Sequence, residues 1–98
     1  MTPTTPLDYV QKAIDLTEER NRVCPRNPLY GMLLNQLDLV KAVFEGRESD
    51  KSKLHQLSMG AIAAKEFEDN DPELARALKD AYYVAIQSAR GLKIQPPD

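Results

Sequence analysis

The stretch Asp71-Pro72-Glu73-Leu74-Ala75-Arg76-Ala77-Leu78-Lys79-Asp80-Ala81-Tyr82-Tyr83-Val84-Ala85-Ile86-Gln87-Ser88-Ala89-Arg90-Gly91 carries both ends of a helix and its buried face. Asp71 suits the N-cap, where a side-chain oxygen accepts from the free amides of the first turn. Pro72 suits the first helical position, where its missing N–H removes no bond, and Glu73 complements the positive end of the helix dipole. At the far end Gly91 offers the left-handed cap, and Arg90 complements the negative end. Leu74, Leu78, Ala81, Ala85 and Leu92 recur at three- to four-residue spacing, and that stripe predicts an amphipathic helix over 72–90.

Working outward, the remaining prolines punctuate the chain in the same way. Pro3, Pro6, Pro25, Pro28, Pro96 and Pro97 leave long uninterrupted segments between them, and proline is tolerated only in the first turn of a helix or outside it. A first helix is expected over about 6–21, with Thr5 as N-cap, Pro6 at the first position and Asp8 three residues after the cap. Its stripe is Leu7, Val10, Ile14 and Thr17. Asn27-Pro28 opens a second helix over about 28–45, ending before Gly46. Its apolar side chains, Leu29, Met32, Leu33, Leu37, Leu39, Val40, Val43 and Phe44, cover an arc wide enough to predict a central helix. A third helix is expected over about 50–67, with Leu54, Leu57, Ala61 and Ala64 on one face and Met59, Ile62 and Ala63 on the other. Ser58, Gly60, Ala61, Ala63 and Ala64 are small enough for another helix to approach closely. The tail, 92–98, reads as extended and loosely held. No period-2 alternation or hairpin dipeptide occurs, so the expected architecture is all-α, a single small antiparallel four-helix domain spanning 1–98.

Length and charge narrow the function classes. Ninety-eight residues with 13 Lys+Arg, 15 Asp+Glu and formal charge −2 build one core, and a deep enclosed active site would compete with it for the same apolar side chains. The near-neutral balance argues against a nucleic-acid binder, which displays a basic stripe. Cys24 is the only cysteine, so an intramolecular disulfide is excluded and a reducing compartment fits. The N-terminus has neither the basic nor the apolar region of a signal peptide, and the charge-free run 55–64 is about half of what a membrane span needs. The expectation is a cytoplasmic protein.

Catalytic constellations are missing. His55 is the only histidine and reads as an exposed or edge residue; Cys24 reads as a loop thiol packed as a small hydrophobe. No spacing suits a metal, and Gly31, Gly46, Gly60 and Gly91 form no phosphate-cradling pattern. The expectation is no enzyme, no cofactor and no metal. Two surface features stand out instead. Glu66, Glu68, Asp69, Asp71 and Glu73 place five carboxylates in eight residues with no basic residue among them. They read either as helix-cap and solvated groups or as a surface that steers a basic partner. Tyr83 falls in the middle of a polar face, with Lys79 and Gln87 one turn away and Arg76 and Arg90 two turns away. That setting suits an interface anchor or a tyrosine packed under its neighbours' alkyl stems.

The run 54–67, Leu-His-Gln-Leu-Ser-Met-Gly-Ala-Ile-Ala-Ala-Lys-Glu-Phe, then 71–83 and the ending Ala89-Arg-Gly-Leu-Lys93 resemble a family of small helical immunity proteins. These stand beside type VI secretion effectors that hydrolyse NAD(P)+. The resemblance is strongest over 54–93; the first helix shares its general pattern, including Thr-Pro-Leu-Asp-Tyr9. It implies an inhibitor that binds a cognate effector toxin domain and occludes its NAD(P)+ pocket in the cytoplasm. The resemblance carries over no contact residues; the carboxylate cluster and the helical wheel alone give the expected toxin-binding surface, Glu66, Glu68, Asp69, Asp71, Glu73, Arg76, Lys79, Tyr83 and Gln87, with no nucleic-acid or membrane partner. The second reading is a small helical adaptor or dimerisation module, whose broad apolar arcs serve self-association; the free immunity protein could equally form a homodimer.

Overall fold

The computed structural model describes residues 5–97; the expectations placed on Pro3, the first four residues and Asp98 lie outside the described residues. Helix α1, Pro6–Val23, starts at the expected capping box: Asp8 N–H donates to Thr5 Oγ1 and Thr5 N–H to Asp8 Oδ2, each at 3.1 Å. Helix α2, Pro28–Phe44, starts where Leu29 N–H donates to Asn27 Oδ1 at 3.0 Å. Helix α4, Pro72–Ala89, starts at Asp71, whose Oδ1 accepts from Leu74 N–H at 3.3 Å. Gly46 and Gly91 follow α2 and α4 with φ of 78° and 69°, the left-handed region that glycine enters without strain.

The third segment departs from the expected continuous helix. A 3-10 turn, Lys51–Gln56, is followed by a break, then by one turn of α-helix, α3 (Met59–Ile62), and a π-helical turn, Ala63–Phe67. The break sits at Leu57, with extended φ and ψ of −68° and 136°. In a continuous helix Leu54 and Met59 would stand ~140° apart around the axis, yet both are fully buried; bending the chain between them turns both to one core. The helix start after the break is supplied from elsewhere. Ser58 forms no side-chain cap of its own. Instead the Gln36 side chain accepts from Ser58 N–H and Met59 N–H at 2.9 and 3.0 Å and donates to Ser58 Oγ at 2.9 Å. Of the two faces expected to pack, the one with Ala61 and Ala64 leaves both alanines exposed, whereas Ala63 and Phe67 are buried.

All described helices pack around one core, and the fold is a small antiparallel all-α domain of four helices. The four-residue connector 24–27 turns α2 back along α1. The C-terminal end of α1 lies beside the N-terminal end of α4, where Arg20 meets Asp71. Helix α1 contributes Val10, Ala13, Ile14 and Thr17; α2 contributes Leu33, Leu37, Val40 and Val43. Buried Thr17 loses no hydrogen bond, since its hydroxyl donates to Ala13 O at 2.6 Å. Helix α4, not α2, is the central element. It buries Leu74, Ala75, Ala77, Leu78, Ala81, Val84 and Ala85 and packs against α1 and all three parts of the third segment. Helix α2 packs mainly on α1, so part of its wide apolar arc faces outward and Met32 is 43% exposed. Gly60 sets the α3–α4 approach: a Cβ there would stand 2.9 Å from Tyr82 Cδ2. Two further expectations are corrected. Leu92 does not extend the α4 stripe but is exposed past the Gly91 turn, and Cys24 is an exposed free thiol rather than a packed one.

Candidate functional site

Pro72, Arg76, Lys79, Asp80 and Tyr83 lie on successive turns of α4, and helical geometry puts them on one face. With Glu68, Ala75 and Pro97 they line an open groove of about 830 Å³. The charges in it are paired. Lys79 Nζ meets Glu68 Oε1 at 2.8 Å across the loop, and Arg76 Nε donates to Asp80 Oδ1 at 2.9 Å along the helix. Tyr83 stays 43% exposed among them. The groove therefore presents an aromatic ring inside a ring of neutralised charge, a composition suited to burial against another protein.

The acidic loop is less bare than its sequence. Arg20, reaching from α1, binds Asp71 through Nε and Nη2 at 2.8 and 3.3 Å, Glu73 through Nη2 at 2.9 Å and Glu19 through Nη1 at 2.7 Å. Hydrogen bonds to Asp71 and Glu73 raise the Arg20 pKa further, and the same guanidinium holds the Asp71 carboxyl below the usual carboxylate range against the opposing effect of burial. Asp71 thus ties α1 to α4 while capping α4. Behind the loop, the Tyr30 and Phe67 rings stack at 5.7 Å and 15°, and burial pushes the Tyr30 hydroxyl pKa up.

Of the residues singled out from the sequence, Glu68, Arg76, Lys79 and Tyr83 come together in the groove. Glu66 and Asp69 are exposed near it but do not line it; Asp71 and Glu73 are engaged by Arg20. Gln87 is not on the polar face at all. It is 8% exposed and lies under the C-terminal segment, where Nε2 donates to Gln95 O at 3.1 Å and Oε1 accepts from Gln95 N–H at 3.0 Å. That segment is consequently held rather than loose over 92–97, with Ile94 packed against the core and Arg76 Nη2 donating to Pro97 O at 3.5 Å. Asp80 could have been found from its (i, i+4) spacing to Arg76. Pro97 and Arg20 could not, since they reach the site through pairings 21 and 51 residues apart.

Among the described residues, no three His, Cys, Asp or Glu side chains are grouped to hold a metal ion. No helix there is long and apolar enough to cross a membrane.

Residues 5–87 match the pattern that defines the family Tsi6. The chain is 47% identical over 96 residues to Immune protein Tsi6 of Pseudomonas aeruginosa strain PAO1, an alignment covering 95% of this chain and 99% of that one. Its fold superposes with a TM-score of 0.91 on a chain in the structure of Tse6 in complex with Tsi6, at 44% identity, covering 96% of this chain and all of the other. The structure of Tsi6 from Pseudomonas aeruginosa superposes with a TM-score of 0.84, again at 44% identity, covering 96% of this chain and 98% of the other.

Proposed function

This chain belongs to the Tsi6 family of immune proteins, and we propose that it binds a cognate type VI secretion effector, inhibiting a toxin domain that hydrolyses NAD(P)+ by occluding its NAD(P)+ site. The observation that carries the reading is a match that spans nearly the whole chain, in sequence and in fold, to a relative whose structure is known in complex with Tse6. The residues agree with it. A stoichiometric blocker needs a stable surface rather than a reactive group, and the α4 groove offers Tyr83 as an anchor with Arg76, Lys79, Glu68 and Asp80 around it. Exposed Glu66 and Asp69 extend that surface with negative charge, which steers association with the basic groups a dinucleotide pocket keeps for pyrophosphate. The site of action is the cytoplasm, where the nucleotide pool lies, and the protein itself catalyses nothing.

The test is NAD+ hydrolysis by the cognate toxin domain, titrated with this protein. Loss of activity at one equivalent is expected, and undiminished hydrolysis at large excess overturns the reading. Tyr83→Ala should weaken the complex by about 2 kcal/mol with folding intact; unchanged affinity by calorimetry removes Tyr83 from the interface.

A further inference from the structure

We propose that Gln87 is a positioning residue for effector docking: by clamping Gln95 it folds residues 92–97 back along α4 and so builds one wall of the groove around Tyr83. The inference rests on the reading of that groove as the docking surface. Gln87 cannot touch an effector directly, being 8% exposed. Its amide is nevertheless fully engaged, with Nε2 donating to Gln95 O and to Tyr83 O at 3.1 and 3.3 Å and Oε1 accepting from Gln95 N–H at 3.0 Å. The pair of bonds to Gln95 is what a neighbouring β-strand would offer, and it uses only backbone atoms of Gln95. Beyond that point the chain continues Pro96-Pro97. Two prolines restrict φ and stiffen the segment, so the direction fixed at Gln95 is carried to Pro97. Pro97 then lines the groove, and its carbonyl accepts from Arg76. A wall held in place before the effector arrives loses less conformational entropy on binding than one that must be ordered in the complex.

The proposal predicts a pattern across three full-length variants. Gln87→Met removes both bonds of the clamp from the helix side, and Gln95→Pro cuts the one donated by the Gln95 N–H while leaving the Gln95 carbonyl as an acceptor. Gln95→Ala keeps both backbone atoms and is the conservative control. Lifetimes of the complex with the cognate toxin domain are measured at a temperature where every variant keeps its native circular dichroism. The expected result is about tenfold faster dissociation for Gln87→Met and Gln95→Pro, with Gln95→Ala dissociating as the native protein does. In the free protein, the Gln95 amide should lose its protection from hydrogen exchange in Gln87→Met. If the native protein holds the toxin and all three variants hold it as long, or if Gln95→Ala fails together with Gln95→Pro, the clamp has no part in docking. If the native protein does not hold the toxin, the immunity reading itself falls.

Discussion

Helices α1 and α4 and the segment between residues 50 and 68 differ in where their instructions lie. Each of these two helices carries its own N-cap and a proline in the first turn, so each is free to form as its local sequence directs. The middle segment has a local cap only for its 3-10 turn, where Asp50 accepts from Ser52 N–H. Its α-helical turn is started by Gln36, 22 and 23 residues away. The difference teaches that a short run of small residues takes the conformation its surroundings require, here bending to bury Leu54 and Met59 on one side.

The comparison can be broken most strongly at the tie between α1 and α4. Arg20→Ala leaves Asp71, whose side chain is only 21% exposed, without its guanidinium partner. A loss of about 2–3 kcal/mol is expected in urea denaturation, and a loss under about 0.5 kcal/mol would make the tie an ordinary surface pair. The next largest effect is Gly60→Ala. Its Cβ would stand 2.9 and 3.0 Å from Tyr82 Cδ2 and Cγ, so it should destabilise by about 1–2 kcal/mol although alanine favours helix. At Gly31 in α2 nothing lies within 4 Å of such a Cβ. The same substitution there should raise the melting temperature, stabilising by up to about 1 kcal/mol. Equal signs at the two glycines would erase the contrast between the regions.

Acid sharpens the comparison further. Because Arg20 depresses the Asp71 pKa, the stabilisation is fully present above the unfolded carboxyl pKa of about 3.9 and disappears as pH falls through the lower folded value. Native protein should lose stability below about pH 4 more steeply than Asp71→Asn, as followed by the urea midpoint between pH 2 and 6. The smallest loss is expected for Gln36→Ala, about 1 kcal/mol, with faster amide exchange at Ser58 and Met59 and none of that change in α1.

These contrasts also explain what could be read in advance. Thr5, Asn27 and Asp71 announce their helices because a cap acts within three residues, and Tyr83, Arg76 and Lys79 share a face that the helical period alone defines. The break at Leu57 is hidden from the sequence because the group that starts the helix after it, Gln36, is on α2. Gln87 reads as a wet-face residue because nothing in its own helix reveals that the tail returns over it. The expectation that α2 is central fails for a related reason: apolar content measures how much a helix can bury, whereas α4 is central because α1 and all three parts of the third segment close on it.

The Gln36 amide has a consequence for the order of events in folding. A helix whose first turn is secured by a side chain of another helix has little reason to form until that helix is in place, so the path runs from the capped helices to the segment between them. Substitution at Gln36 should then leave the rate of refolding nearly unchanged and accelerate unfolding, a φ-value near zero. The stretch near the middle of the chain would therefore become ordered only after the capped helices on either side of it.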